Sequence, residues 1–213
     1  MGSGLEEIAA AAHALGHTFR EQGKLDQTEV CYTQALALRE QALGASHPSV
    51  GETLRDLAWV CEARGRLADA EAHLRRAISV FERAQGIDYD GDGLHQLAGL
   101  CLAQGRPAEA EPLLLRAVSL KERRLGRDHF DVAMRLGDLA SLYEARDRLV
   151  EARKLRERMI PILSREWGAF DLQTAAQLEH LAALCDRTGA LDEAARHRRT
   201  ITEIRTRAAQ PRN

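Results

Sequence analysis

Three aspartates alternate with other residues ahead of a glycine in the stretch IDYDGDG, which covers residues 87–93. An EF-hand calcium loop opens in the same way, with oxygen ligands at its first, third and fifth positions. A loop that starts at Asp88 needs a bidentate glutamate at position 12, and that position here is Gly99. The spacing therefore predicts no calcium site. Asp92 is predicted instead to cap a helix that starts near Leu94.

A second candidate for metal chemistry is a pair of histidines, His13 and His17, which are four residues apart. On a helix this spacing places both imidazoles on one face, where they can contact the same ion. Two ligands are too few for a structural zinc site, and the sequence places no cysteine or acidic partner beside them. We therefore expect no metal here and interpret the pair as a polar wall of a groove.

The cysteines lie far apart and lack the CxxC spacing of metal or redox motifs. Such usage favours free thiols in a reducing compartment, so we expect a cytoplasmic protein. Three of them, Cys61, Cys101 and Cys185, occupy one equivalent position of the repeat described below, where Phe19 and Tyr143 stand in the other copies. We expect this position to be a buried core position with inert thiols.

Enzyme signatures are missing from the sequence. It contains no GxxxxGK[ST], no GxGxxG after a strand, no HExxH and no GxSxG, so we expect neither catalysis nor a cofactor.

The net charge of −2 favours neither a nucleic-acid nor a membrane partner, and no apolar run reaches the roughly 18 residues that span a bilayer. Two arginine-rich segments, Arg146–Arg158 and Arg196–Arg207, lie on predicted second helices of the repeat, where we expect solvated surface.

An internal repeat organises the chain. Five similar segments start at positions that are 42, 40, 42 and 42 residues apart: His13, Arg55, His95, Gly137 and Glu179. Each copy has a leucine followed by a small residue, then a turn position seven residues later that is glycine in four copies and Asp147 in the fourth repeat. Two later positions of the repeat hold small residues in most copies. The exceptions are Met159 and Ile201, which both occupy the second of these two positions. This pattern predicts two amphipathic helices joined by a left-handed turn residue.

The residues of this pattern resemble the tetratricopeptide repeat. The connectors LREQALGASHPSV, from Leu38, and LKERRLGRDHFDV, from Leu120, resemble those of 42-residue repeats of the kinesin light chain type. The resemblance implies an all-α fold, an α-solenoid of five stacked helix-turn-helix repeats that forms a right-handed superhelix. One helix pair cannot bury its own apolar face, which is why successive pairs stack.

The period also predicts a domain organisation. Residues 1–11 are expected to be an N-terminal tag remnant and helix extension, and residues 210–213 a C-terminal tail. A single repeat domain is expected over residues 12–209, with repeats at 12–53, 54–93, 94–135, 136–177 and 178–209.

The resemblance further implies a concave groove lined by the first helices, in which relatives bind extended peptides. The matching positions of this chain are His13, His17, Arg20, Arg55, Asp56, Trp59, Glu62, His95, Gln96, Asp138 and Ser141. Family members that grip a C-terminal carboxylate use a Lys/Arg and Asn clamp, and this chain lacks it. Trp59 is expected to form the wall of a pocket beside the small Gly99 and Ser141, with Arg55 stacked on it or binding a carboxylate.

The leading functional hypothesis is a non-enzymatic interaction module that binds a peptide or partner protein in the groove. The alternative is a regulatory or sensor segment of a larger multidomain protein that contacts a domain of the same chain. A third hypothesis is a homo-oligomer formed through the terminal repeat, because Ile201 and Ile204 would normally meet a following helix.

Overall fold

The computed structural model describes residues 2–85 and 91–209, and every element in these ranges is a helix. In chain order the helices are α1 (Gly2–Glu21), α2 (Leu25–Leu43), α3 (Pro48–Ala63), α4 (Leu67–Gln85), α5 (Gly91–Ala103), α6 (Pro107–Leu125), α7 (Phe130–Ala145), α8 (Leu149–Trp167), α9 (Leu172–Arg187) and α10 (Leu191–Ala208). The predicted all-α helical repeat fold is confirmed. Within these described ranges no helix is both long and apolar enough to cross a membrane.

Contacts divide the chain into two compact units, residues 1–113 and residues 114–213. In the first unit, α1 packs against α2 and α3 against α4, while α2 also packs on α3 and α4 on α5. In the second unit, α7 pairs with α8 and α9 with α10, and α8 packs on α9. Each unit therefore contains helix pairs that stack on the next pair, as the repeat pattern predicts.

The small residues of the repeat lie where paired helices approach each other. Ala70, Ala110, Ala152 and Ala194 are buried, and Thr28 fills the same position in the first repeat. The repeated leucine is buried in four copies but Leu15 is 48% exposed on α1. The expected core thiols, Cys61, Cys101 and Cys185, are buried and free, as is Cys31.

A left-handed residue ends the turn between the helices of each pair. Gly23, Gly65, Gly105 and Gly189 have φ between 70° and 79°, and Asp147 adopts φ 57°. The sequence pattern predicted glycine for this role, and the structure shows that the aspartate takes the same conformation. An L-residue with a side chain is sterically disfavoured there, and aspartate is among the residues that tolerate it best.

Connectors between pairs cap the following helix. His47 Nδ1 accepts a hydrogen bond from the Ser49 backbone N–H (3.3 Å), and His129 Nδ1 accepts one from Asp131 N–H (3.1 Å). Asp171 caps α9 in the same way through Gln173 N–H, at 2.7 Å. The connector histidines therefore satisfy free N–H groups at helix starts.

The third repeat departs from the predicted boundaries. Its first helix, α5, begins at Gly91 rather than near Leu94, so Asp92 lies in the first turn of the helix and not at the cap. This helix has 13 residues, whereas α3, α7 and α9 have 16 each. The aspartate-rich connector itself, residues 86–90, lies outside the described residues, as does the predicted tail.

The predicted repeat boundaries at residues 54, 94, 136 and 178 fall inside α3, α5, α7 and α9. The period of a repeat gives its length but not the residue at which each copy starts. The helix pairs therefore begin several residues before the predicted boundaries. At the other end of the chain, Ile201 and Ile204 are buried in the core of the second unit. The expectation that they offer an apolar surface for self-association is therefore wrong, because they pack within their own repeat and its neighbour.

Candidate functional site

In the first unit, three of the predicted groove residues meet where α1 faces α3. His13 Nε2 lies 2.8 Å from Asp56 Oδ2, and His17 Nε2 lies 3.8 Å from the same oxygen. The two imidazole rings are 4.6 Å apart and nearly perpendicular. The acidic partner that the neighbouring sequence does not provide therefore comes from the next repeat, 43 residues along the chain from His13.

Arg20 joins the same cluster through its guanidinium. Its Nη1 donates to Asp56 Oδ1 at 3.3 Å, and the guanidinium carbon lies 4.2 Å from the centre of the Trp59 ring. The prediction that Arg55 stacks on Trp59 is wrong: the Arg55 guanidinium lies over the Phe81 ring instead, at 5.2 Å. Helical spacing places Arg55 and Trp59 on one face, but the Arg55 side chain meets the Phe81 ring of α4.

Trp59 is half-buried rather than fully exposed. It packs against the buried cluster of Tyr32, Leu57 and Val60, and its outer part is covered by Arg20. Tyr32 is fully buried, and its hydroxyl lies 3.2 Å from His17 Nδ1. Burial, and then the negative charge of Asp56, raise the pKa of Tyr32 to about 12, so the phenol stays neutral and keeps its proton for hydrogen bonding.

The remaining predicted residues of the first unit form a more open face. Glu62 and Gln96 are exposed on α3 and α5, and His95 is half-buried on α5. Gly99 is exposed, and a Cβ added there would meet nothing within 4 Å.

The second unit contains a cleft of about 270 Å³ between α7, α8 and α9. Two predicted groove residues, Asp138 and Ser141, line it together with His180. Its apolar lining consists of Met134, Met159, Leu163 and Trp167. The structure therefore forms a concave site from the first helices of two repeats, α7 and α9, and the second helix α8, with both polar and apolar side chains in its lining.

A buried arginine that the sequence did not single out also lines this cleft. The side chain of Arg156, on α8, is only 7% exposed, and its Nε donates to Glu144 at 2.6 Å. Its Nη2 and Nη1 lie 3.4 Å from Ser141 Oγ and Gln177 Oε1, respectively. These two contacts are long, so this edge of the guanidinium is well placed to donate to a stronger acceptor.

The repeat alignment does contain a signal for Arg156. The equivalent position is Tyr32, Leu74 and Leu114 in the three preceding repeats, and all three side chains are buried. A charge that is buried at a position where these three repeats have Tyr or Leu indicates a special role, because a buried charge requires partners. The fifth repeat also has an arginine here, but Arg198 is exposed and pairs with Asp186.

Helix pairs that approach closely at small residues, are joined by left-handed turns and stack on one another within each unit define a helical repeat protein. Sequence comparison agrees: the tetratricopeptide repeat family matches residues 7–83 and 91–165, more than half of the chain. The chain belongs to the tetratricopeptide repeat family, and its repeats are similar to those of the kinesin light chain type.

Individual relatives are distant in sequence. Protein KINESIN LIGHT CHAIN-RELATED 3 of Arabidopsis thaliana is 35% identical over 79 residues, which make up 35% of this chain and only 12% of the plant protein. The structure of kinesin light chain TPR-like repeats from Podosopora anserina superimposes with a TM-score of 0.78 at 20% identity, covering 97% of this chain and 99% of that one. BtubC (BKLC) from P. vanneervenii gives 0.79 at 19% identity, covering 98% and 85%. These structural likenesses establish the fold.

Proposed function

We propose that this chain is a protein-interaction module that binds an extended segment of a partner protein along its first helices. The observation that carries the proposal is the cleft between α7, α8 and α9, with Arg156 buried in its wall. Tetratricopeptide repeats are in general modules for protein–protein interaction, so the cleft is interpreted as a place for a peptide side chain.

The lining of the cleft defines the chemistry of the segment. Met134 and Trp167 offer apolar surface to an aliphatic or aromatic side chain, and the buried Met159 lies behind them. Arg156 offers N–H groups to a peptide carbonyl or carboxylate of the same segment, and Ser141 and His180 stand on the first helices beside it. We therefore propose an apolar anchor residue that is flanked by a hydrogen-bond acceptor.

Peptide display tests this proposal directly, because a random library does not require an identified partner. Peptides selected on the wild-type chain are synthesised with a fluorophore, and their affinities are measured by anisotropy. Arg156→Met, which removes the charge, and Ser141→Leu, which narrows the cleft, are each expected to weaken binding by about tenfold or more. The control is Arg196→Ala, a mostly exposed arginine on α10, which is expected to bind as the wild type does.

Circular dichroism shows whether each variant keeps its helical fold. If no peptide is selected, or if selected peptides bind folded Arg156→Met and Ser141→Leu as tightly as the wild type, the cleft is not the site.

The groove of the first unit has its own variant, Trp59→Ala, which is expected to weaken binding of peptides that contact α1 and α3. If every selected peptide binds Trp59→Ala as tightly as it binds the wild type, the first unit does not contribute to peptide binding.

The alternative function uses the same groove for a segment of the same polypeptide or for a second copy of the chain. Competition separates these cases: peptides from any flanking coding sequence, or from this chain itself, displace the selected peptides only if they are the natural occupants. Light scattering over a concentration series detects the second copy.

A further inference from the structure

The cluster between α1 and α3 brings together three metal-ligating side chains of two repeats. His13, His17 and Asp56 each direct one ligand atom toward the others, and these atoms all lie within 4.8 Å of one another. Two histidines and one carboxylate form a common donor set for divalent transition metals. The peptide-binding proposal does not use this arrangement and does not depend on it.

The spacing of the ligand atoms suits a tetrahedral ion. Bonds of about 2.0–2.1 Å from zinc to imidazole nitrogen or carboxylate oxygen separate neighbouring ligands by about 3.3 Å. The two imidazole Nε2 atoms lie 2.8 Å and 3.8 Å from Asp56 Oδ2, on either side of that value. Small side-chain rotations bring all three atoms within bonding distance of an ion, which takes the place of the hydrogen bond between His13 and Asp56.

A second layer of hydrogen bonds already orients these ligands. The Tyr32 hydroxyl lies 3.2 Å from His17 Nδ1, which keeps His17 Nε2 turned toward the carboxylate. Arg20 binds Asp56 through Oδ1 only, so Oδ2 remains directed at the two histidines. Such partners fix the tautomer and orientation of metal ligands and typically contribute tenfold or more to affinity.

The surroundings both protect the site and leave it accessible. The side chains of His13 and Asp56 are 13% and 19% exposed, whereas His17 is 46% exposed at the edge. An ion therefore enters past His17. With three protein ligands it keeps a fourth position for water or for an acceptor group of a bound partner.

We propose that His13, His17 and Asp56 bind a divalent transition-metal ion, with zinc as the best fit, and that the ion links the first repeat to the second. The competing interpretation is a metal-free cluster in which Asp56 is held by His13 and Arg20 alone. The two interpretations differ in whether added zinc binds at these three residues.

The test uses the full chain, purified free of metal, and zinc itself as the probe. Competition with a chromophoric chelator is expected to show one equivalent of bound zinc, and zinc is expected to raise the melting temperature. Asp56→Asn and His13→Ala are expected to lower zinc affinity by at least about tenfold and to abolish the thermal shift. His180→Ala, a groove histidine of α9 that is far along the chain from the cluster, is the matched control and should bind as the wild type does.

Two further measurements distinguish zinc at this cluster from zinc at the cysteines. Cobalt is expected to give visible bands of a nitrogen- and oxygen-ligated ion without sulfur charge transfer, which excludes the four thiols as ligands. Tyr32→Phe keeps the ring that packs in the core and is expected to weaken zinc binding by about tenfold. Absence of stoichiometric binding, or binding that is equal in wild type, Asp56→Asn and His13→Ala, overturns the proposal.

Discussion

One position of the repeat, on the second helix, holds a polar side chain in the two repeats whose clusters are described above. In the first repeat it is Tyr32, which meets His17, and in the fourth repeat it is Arg156, which meets Ser141 at the equivalent place. Where the position is Leu74 or Leu114, the side chain is simply buried. The second-helix residue at this position therefore contacts the neighbouring first helix in both repeats, beside a histidine cluster in the first and as a buried cation in the fourth.

The thiols at the core position of the first helices have a predictable reactivity. Burial raises the pKa of Cys61, Cys101 and Cys185, which disfavours the nucleophilic thiolate. We expect Ellman's reagent to label the native protein slowly and to reach four thiols per chain only after unfolding in urea. Ser141→Cys, on the exposed groove face, serves as a positive control that labels at once. Rapid labelling of the wild type would contradict the packing described above.

At the scale of the helices, the close approach within a pair depends on side-chain volume. A Cβ added to Gly16 on α1 would lie 2.5 Å from Tyr32 Cε1, whereas one added to Gly99 on α5 would meet nothing within 4 Å. The two glycines are both inside first helices, but only the first is required by packing. The second lowers helix stability without allowing a closer helix contact.

This contrast gives a paired prediction for alanine substitution. Gly99→Ala is expected to stabilise the protein by about 0.5–1 kcal/mol, because alanine has the higher helix propensity and the space is free. Gly16→Ala is expected to destabilise it by about 1–3 kcal/mol, because the Tyr32 ring must shift in a packed core. Urea unfolding followed by circular dichroism measures both. Equal effects of the two substitutions would show that helix propensity alone governs these positions.

At the scale of the whole molecule, ion pairs tie consecutive repeats together within each of the two units. Glu29 of α2 pairs with Arg64 and Arg66, and at the next repeat Glu71 of α4 pairs with Arg106. Hydrogen bonds from Arg106, and then from Arg75, hold the pKa of the Glu71 carboxyl below its usual range. A carboxyl whose pKa is lowered on folding stabilises the protein above its unfolded pKa, and that contribution is lost as the pH falls through the folded value.

We therefore expect Glu71→Gln to lower the free energy of unfolding at pH 7 by about 0.5–1 kcal/mol. The difference from wild type should shrink as the pH falls below the ordinary glutamate pKa of about 4.3, since the wild-type carboxyl is then protonated as well. Urea unfolding at several pH values measures this, with Glu62→Gln, at an exposed groove position, as the matched control. A difference that stays constant down to acid pH would show that Glu71 contributes through packing and not through charge.

The sequence by itself determined the helical repeat, its period, the left-handed turn position and the buried small residues. The buried positions recur with the period of a helix, and the turn positions recur with the period of the repeat. Both can therefore be predicted from the spacing of residue types along the sequence. Only the tertiary structure decided which side chains of different repeats meet. Asp56 reaches His13 from the next repeat, Arg20 rather than Arg55 covers Trp59, and Arg156 enters a first-helix cleft from α8. The reason is physical: periodicity states which face a residue occupies, whereas contacts between faces depend on the angle and distance at which packed helices cross.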